Sequence, residues 1–326
     1  MSKNQTSAKD LLAKSQSLIA LLLMVIAMSV LSDSFLTPEN GWNILRQISV
    51  NLCLSIGMTL IILSGGIDLS VGAILAFAGA VAAGVLKNGI EIPMFDVLLQ
   101  FTLAGAIVSG IGVGLALGWF NGFVITRFKL PPFVATLGMF SIARGLTMLW
   151  TGGFPVTGLG EDFAYIGTGV FLGVPMPVWI TATFVAAFVV LTKKTRFGRH
   201  LYAVGGNERA ALLTGLRVKK IKIWVYTLGG GLAGIAALLH TARLDSAQPN
   251  AGLGYELDSI AAVVIGGTSL SGGRGSVMGT VLGCLIIGVL NNGLALLSVS
   301  PFWQQVVKGL VILVAVAIDK AKDRDD

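Results

Sequence analysis

The stretch KKTRFGRHLYAVGGNERAALLTGLRVKKIK, residues 193–222, decides how this chain is organised. It contains nine Lys and Arg residues and a single acid, Glu208. Long apolar segments precede it and follow it. Because basic loops between membrane-spanning helices stay in the cytoplasm, the stretch is predicted to be a cytoplasmic loop of a membrane protein.

A short helix is predicted at the centre of this loop, from Glu208 to Gly215. Asn207 is a good N-cap, Glu208 places an acid in the first turn, and Gly215 is a typical terminating residue. We interpret this helix as the part of the loop that a cytoplasmic partner binds. The residues assigned to it are Asn207, Glu208, Arg209, Ala210, Ala211 and Gly215.

The composition is that of a multi-pass membrane protein. The chain has 326 residues, of which 54% are hydrophobic and only 12% are charged, whereas a soluble domain has roughly 25% charged residues. The net charge of +7 comes from basic residues in loops that flank apolar segments. Those residues are better explained by orientation in a lipid membrane than by binding to nucleic acid, so no nucleic-acid partner is predicted.

Ten apolar segments are predicted to be membrane-spanning helices, since a span needs about 20 mainly apolar residues. They cover residues 17–31, 50–63, 71–86, 97–124, 131–150, 175–191, 223–241, a segment that begins near 257, 277–297 and 302–318. Residues 32–46 are expected to lie outside, and residues 87–96 are expected to form a short external loop. No convincing signal-peptidase site follows the first segment and further spans come after it, so it is expected to be a retained helix with its N-terminus in the cytoplasm. Ten spans then place the C-terminus in the cytoplasm as well, and every basic cluster falls on that side. The predicted fold is therefore all-α, with residues 1–326 forming one transmembrane domain.

Two similar glycine-rich segments interrupt the apolar pattern. GGIDLSVG at residues 65–72 and GGTSLSGG at residues 266–273 share the pattern GGxxLSxG, and each follows one apolar segment and precedes another. Matching interruptions of this kind indicate broken or re-entrant helices and an internal repeat of two halves, whose relative orientation stays open. The predicted helix breaks are at Gly65, Gly66, Gly266 and Gly267.

Small residues recur every four positions in three of the predicted spans. Such stripes allow helix backbones to approach closely, and we favour packing within one chain over a dimer interface. The stripes are Gly110, Gly114, Gly118 and Gly122; Ala76, Ala80 and Gly84; and Gly275, Gly279 and Gly283.

Polar side chains within predicted spans are candidates for function, because they are costly in a membrane. Asp68 either caps the third span or lines the transport path. The neighbours Asn291 and Asn292 either bind solute hydroxyls or tie helices together. Arg144 is a further polar residue of this kind. The residues assigned to a translocation pathway are Asn51, Asp68, Asn121, Asn291 and Asn292.

The sequence has no motif for catalysis or metal binding that we recognise. GxxxxGK[ST], HExxH and GxSxG are missing, and the two cysteines and two histidines do not have metal-ligand spacing. We therefore expect neither an enzyme nor a chain that binds a metal or cofactor itself.

Five stretches together resemble the permease subunits of bacterial ABC importers for sugars, in the branch that serves ribose, xylose, arabinose and galactose. They are SGGIDLSVG at 64–72, PPFVATLGMFSIARGLTM at 131–148, residues 195–223, residues 246–280 and LNNGLALLSVS at 290–300. Residues 246–280 and 290–300 are most similar to the ribose members of the branch, so the resemblance favours ribose as the transported monosaccharide.

The resemblance implies an inner-membrane protein with several partners. Two copies of the permease would form the pathway, a separate ABC ATPase that binds ATP and Mg would dock on the cytoplasmic side, and a periplasmic sugar-binding protein would deliver the sugar. The importer pattern Glu-Ala-Ala, three residues, Gly fits Ala210, Ala211 and Gly215, with Glu208 displaced by one position. The alternative is a secondary transporter of a small polar solute driven by an ion gradient, for which Asp68 is almost the only candidate coupling acid.

Overall fold

The computed structural model describes residues 8–92 and 97–322, and these residues are mainly helical. The helices are α1 (Ala8–Leu31), α2 (Pro38–Leu63), α3 (Val71–Lys87), α4 (Leu103–Phe128), α5 (Pro132–Thr151), α6 (Glu161–Thr168), α7 (Met176–Lys194), α8 (Arg196–Gly206), α9 (Glu208–Leu213), α10 (Val218–Leu244), α11 (Tyr255–Ile265), α12 (Val277–Leu296) and α13 (Pro301–Lys322).

Six of these helices are long and apolar enough to cross a membrane, namely α2, α4, α5, α7, α10 and α12. Shorter apolar helices cover residues 17–31, 71–87 and 301–314. This confirms a multi-pass helical architecture. The total of ten crossings, the sidedness of the termini and the two-half repeat stay predictions, and residues 1–7 and 323–326 lie outside the described residues.

Two predicted boundaries are wrong. The second span was expected from about residue 50, but α2 begins at Pro38, where Thr37 Oγ1 accepts a hydrogen bond from the Asn40 N–H. Pro is common in the first turn of a helix, where it has no hydrogen bond to lose. The fourth span was expected from residue 97, yet α4 begins at Leu103, after Thr102 as N-cap.

Three short antiparallel strand pairs correct the strictly all-α prediction. They are β1 (Ile90–Ile92) with β2 (Val97–Leu99), β3 (Val156–Thr157) with β6 (Ser246–Ala247), and β4 (Val170–Phe171) with β5 (Val174–Pro175). Each pair lies in loops between long helices, where backbone groups left free by the helix ends form hydrogen bonds with each other. The pair β3·β6 joins the loop after α5 to the end of α10.

The helices form a buried centre and an exposed periphery. Within their most apolar windows, α2, α10 and α12 are mostly buried, whereas α4, α5 and α7 are mostly exposed. The exposed side chains of the peripheral helices are large and apolar, for example Val108 on α4 and Leu149 on α5. An apolar exterior is expected for helices that face lipid.

The glycine stripe of α4 packs against α10 in the same chain. A Cβ atom added to Gly118 would lie 3.0 Å from Gly230 Cα, and one added to Gly230 would lie 2.8 Å from Gly118 Cα. Gly84 of the second stripe faces the indole of Trp150, and Gly279 of the third faces Gly266. The preference for packing within one chain is confirmed for all three stripes.

Candidate functional site

The predicted helix in the basic stretch is present as α9. The Asn207 Oδ1 atom accepts a hydrogen bond of 2.9 Å from the Ala210 N–H, so Asn207 is the N-cap as predicted. Regular helix ends at Leu213, and Gly215 follows with φ +82° while donating its N–H to Leu212 O at 3.0 Å. This left-handed conformation suits glycine, which confirms Gly215 as the terminating residue.

One side of α9 is buried and the other is open. Ala211 is buried, whereas the side chains of Leu212 and Leu213 are 64% and 87% exposed. Lys222 Nζ forms a 2.7 Å ion pair with Glu208 Oε2, which connects α9 to α10. Because α9 lies at the end of the bundle that carries the basic stretch, its exposed leucines form an apolar patch on a strongly basic surface. We call this end of the bundle the basic end.

The predicted helix breaks are both present, at the basic end. Helix α2 ends at Leu63 and Gly65 has φ +78°, whereas α11 ends at Ile265 and Gly267 has φ +85°. In the pair Gly65–Gly66 the left-handed residue is the first glycine, and in the pair Gly266–Gly267 it is the second. The first pair therefore begins two residues after the end of α2, whereas the second pair begins one residue after the end of α11.

Helix α8 packs on the point where the two breaks meet. The Gly273 N–H donates to Leu63 O at 3.1 Å, which joins the second break to the end of α2. Tyr202 of α8 donates its hydroxyl to Gly275 O at 2.9 Å. Gly205 of α8 lies so close to Leu63 O and Gly273 N that a side chain has no room. Since only Asn207 separates α8 from α9, the exposed helix is directly connected to both breaks.

Asp68 and Asn121 belong to one buried network near the first break. Asp68 is fully buried, and its Oδ1 atom accepts hydrogen bonds from the Ser70 N–H at 2.8 Å and from the Ser70 hydroxyl at 2.5 Å. Asn121 Nδ2 donates to the same hydroxyl at 2.9 Å. Ser70 is the N-cap position of α3 and makes no side-chain capping bond. Asp68 therefore fixes the turn before α3 from a position two residues before the N-cap, and it does not cap the helix itself.

Asn51 and Asn291 both line a polar cavity, which extends from the middle of α2 towards the end of the bundle opposite the basic end. The cavity has a volume of about 130 Å³ and lies between α2, α10, α11, α12 and α13. Asn292, the next residue, has another environment, because it exchanges hydrogen bonds of 3.0 Å and 2.8 Å with Asn40 of α2. The two interpretations left open for these neighbours therefore separate: Asn292 ties helices together, and Asn291 faces a cavity.

Several residues of the cavity wall were missed from the sequence. Asp258 of α11 and Lys308 of α13 form an ion pair with an N–O distance of 3.0 Å, and Arg243, His240 and Tyr255 complete that side of the wall. The signal was available, because Asp258 and Lys308 are charged residues within predicted spans. The pairing of Asp258 with Lys308 could not be predicted, since 50 residues separate them in the chain.

Arg144 stabilises the loop before α11 by hydrogen bonds to its backbone. Its Nη1 atom donates to Pro249 O at 2.7 Å and to Ala251 O at 3.0 Å, which holds that loop against α5. Among residues 8–92 and 97–322, no group of three or more His, Cys, Asp or Glu side chains is arranged to hold a metal ion.

Comparison with known proteins assigns the family. Residues 41–316 match the family described as branched-chain amino acid transport system, permease component. This chain belongs to that permease family. It is accordingly a multi-pass protein of the inner membrane and a component of a transport system.

Several of the similar proteins are named as sugar permeases. The chain is 50% identical to the ribose import permease protein RbsC of Bacillus subtilis, over 93% of this chain and 92% of that one. It is also 50% identical to RbsC of Escherichia coli K12, over 96% of each chain. Identity to the D-allose transport system permease protein AlsC of the same bacterium is 38%, over 93% of this chain and 90% of that protein.

A solved structure shows a related fold. An ABC transporter in an inward-facing conformation superposes with a TM-score of 0.50 at 16% identity, covering 94% of this chain and 99% of that one. The similarity concerns the arrangement of the helices alone.

Proposed function

We propose that this chain is the membrane-spanning subunit of an ABC importer for ribose. The observation that supports this most strongly is the graded identity to its relatives, which is 50% for ribose permeases and 38% for the allose permease over similar lengths. A substrate preference shared with the more similar proteins is the simplest explanation of that difference.

The energy for import comes from a separate ABC ATPase that binds ATP and Mg. Its contact is α9, where Leu212 and Leu213 offer an apolar patch outside the membrane and Asn207 fixes the start of the helix. Glu208 and Arg209 flank the patch with charges. Ala210, Ala211 and Gly215 match the small residues of the importer pattern. On this proposal, the basic end is the cytoplasmic end.

Two further proteins complete the transporter. A periplasmic sugar-binding protein docks at the opposite end, where the short strand pairs and α6 form the surface between the long helices. A second copy of this chain forms a homodimer with the first. Lipid covers the remaining apolar surface of α4, α5 and α7, as their many exposed apolar side chains suggest.

The conformational change passes along the chain from α9 to α8 and then to the two helix breaks. ATP binding closes the ATPase and displaces α9, and the displacement passes through Asn207 to α8. There Gly205 and Tyr202 press on the two helix breaks, which lie at the ends of α2 and α11. Alternating access then requires two packed states of the bundle that the ATPase and the binding protein favour to different degrees.

Uptake into reconstituted vesicles tests this function. Vesicles that contain this chain and the ATPase, supplied with the binding protein, should accumulate ribose when Mg and ATP reach the ATPase. Omission of the ATPase or of ATP should abolish uptake. Uptake that persists without ATP and collapses on addition of a proton uncoupler would contradict the proposal and favour the secondary transporter.

A further inference from the structure

A groove in the side of the bundle lies between α2, α7 and α12. It is lined by side chains from residues 45–52 of α2, 178–189 of α7 and 278–285 of α12. Its volume is about 460 Å³, which is within the range of roughly 300–1,000 Å³ that is typical of ligand sites. Met278 is 47% exposed and Ala186 is exposed as well, so the groove opens on the apolar surface that faces lipid.

The chemistry of the groove suits an apolar ligand. Its lining residues are apolar except for Ser49 and Thr181. The Ser49 hydroxyl donates to Leu45 O at 2.8 Å, and the Thr181 hydroxyl donates to Ser49 O at 3.3 Å. Because both hydroxyl protons are already used within the chain, a sugar in the groove would lose its hydrogen bonds to water and gain few in return. A hydrocarbon chain has no hydrogen bonds to lose.

The length of the groove matches one acyl chain of a phospholipid. Along α7 it extends from Val178 to Val189, which is about 16 Å at roughly 1.5 Å per residue. The hydrocarbon core of a bilayer is about 30 Å thick and consists of two leaflets, so one acyl chain spans roughly 15 Å. The groove is therefore long enough for the chain of a lipid from one leaflet.

One end of the groove lies at the basic end of the bundle. Met278 is the second residue of α12, which begins just after the break that is bonded to Leu63 O. Lys193 follows Val189 by four residues, and residues four apart lie on the same face of a helix. Since Cα–Cβ bonds tilt toward the N-terminus of a helix, the Lys193 side chain leaves α7 in the direction of the groove. Lys193 is exposed and forms no ion pair with any side chain that the structure describes.

The positive charge beside the groove favours an anionic head group over a second copy of this chain. Residues 193–222 contain nine cations and one acid. If two copies are related by a two-fold axis along the membrane normal, their basic ends lie on the same side of the membrane. A second copy seated in the groove would therefore bring further cations toward Lys193. An anionic lipid instead brings a negative charge to the depth at which lysine side chains reach the membrane surface.

We propose that this groove binds one acyl chain of a phospholipid with net negative charge, and that Lys193 binds the phosphate of that lipid. The bound chain fills the space between α7 and the central helices α2 and α12. Because α7 leads directly into α8, the lipid stabilises the start of the basic stretch. The site depends on the location of this chain in a membrane and not on the sugar that it transports, so it goes beyond the proposed function.

Native mass spectrometry of the full chain, purified in detergent micelles, tests the head group. Phosphatidylglycerol, which is anionic, and phosphatidylethanolamine with the same acyl chains, which has no net charge, are added in increasing amounts. Phosphatidylglycerol should bind about fivefold more tightly, the effect of roughly one lysine near an anionic lipid. Lys193→Gln should remove this preference, and Lys193→Arg should keep it. Lys194→Gln, which changes the next residue on another face of α7, should also keep it.

A second pair of variants tests the position of the acyl chain. Ala186 lines the groove and Ala187 does not, although both are exposed. Ala186→Phe fills the groove and should weaken phosphatidylglycerol binding several-fold, whereas Ala187→Phe should not. Glycerol 1-phosphate, which has no acyl chain, should not compete with phosphatidylglycerol.

Three results would overturn the site. The first is equal affinity of the wild type for the two lipids. The second is an equal effect of the two variants in either matched pair, Lys193→Gln with Lys194→Gln or Ala186→Phe with Ala187→Phe. The third is loss of a dimer in Ala186→Phe with unchanged lipid binding, which would assign the groove to a second copy of this chain.

Discussion

The Gly273 N–H donates a hydrogen bond of 3.1 Å to the carbonyl oxygen of Leu63, so the breaks that follow α11 and α2 are joined. The two residues are far apart in the sequence, and each belongs to one of the two GGxxLSxG regions. Helix α8 covers this junction and leads into α9. A displacement of α9 therefore acts on the ends of two central helices at once.

Gly205 packs so closely against this junction that its position should not tolerate a side chain. In Gly205→Ala the new Cβ would lie 2.6 Å from Gly273 N and would also meet Leu63 O. Overpacking of this kind costs about 1–3 kcal/mol, so we expect lower thermal stability of the solubilised protein and weaker ribose uptake.

The adjacent glycine supplies the control. A Cβ on Gly206 meets no atom within 4 Å, so Gly206→Ala should behave like the wild type in both assays. Equal thermal stability and uptake for Gly205→Ala and Gly206→Ala would contradict the close packing of α8 on the breaks.

Reversal of charge at Glu208 should uncouple ATP hydrolysis from sugar uptake. Glu208→Lys replaces the ion pair with Lys222 by a repulsion between two cations, and Glu208 is largely exposed. The pair contributes little to stability, so the protein should remain in the membrane while uptake per ATP hydrolysed falls several-fold. The exchanged pair Glu208→Lys with Lys222→Glu should recover coupling. If Glu208→Lys alone leaves the amount of sugar taken up per ATP hydrolysed unchanged, the contact between Glu208 and Lys222 has no role in coupling.

The sequence predicted the features that depend on neighbouring residues. The cap at Asn207, the terminating Gly215 and both helix breaks follow from residues a few positions apart, and the stripe of α4 follows from a period of four. The start of α2 was missed because Pro38 was treated as a loop residue, although it suits a first helical turn equally well.

Features that depend on distant partners could not be predicted. Asn291 and Asn292 are identical in type and adjacent, and only the position of Asn40, 252 residues from Asn292, makes one a structural tie and leaves the other facing a cavity. The same holds for Asp258 and Lys308. Pairing between distant residues is decided by helix packing, and local pattern carries no information about it.

The amide pair of Asn40 and Asn292 should contribute to stability and can be tested by a double-mutant cycle. Asn292→Leu leaves the buried Oδ1 atom of Asn40 without its donor, which costs about 1–3 kcal/mol, while Asn40 Nδ2 keeps its hydrogen bond of 2.9 Å to Phe35 O. Replacement of both residues by leucine removes the unsatisfied oxygen but also removes the donor to Phe35 O, so it should recover only part of the loss. Thermal unfolding of the four proteins measures this coupling, and strictly additive effects would show that the pair does not interact.

Close packing of α4 on α10 should make Gly114 intolerant of larger residues. A Cβ on Gly114 would lie 3.0 Å from Gly234 N and would also meet Gly230 O, whereas one on Gly112 meets nothing within 4 Å. Gly114→Val should therefore reduce the amount of folded protein in the membrane, and Gly112→Val should not. Similar yields and thermal stabilities for the two variants would contradict the assigned helix contact.

The central claim is that a separate ATPase acts on this permease through α9. Leu213 is 87% exposed there, and Leu172, which is 78% exposed, lies in the loop between β4 and β5 at the opposite end. The most direct measurement is the binding of the ATPase to purified permease carrying Leu213→Asp or Leu172→Asp. We expect Leu213→Asp to weaken binding at least tenfold, equivalent to about 1.4 kcal/mol, and Leu172→Asp to leave it unchanged. Wild-type ATPase affinity in Leu213→Asp would contradict the account.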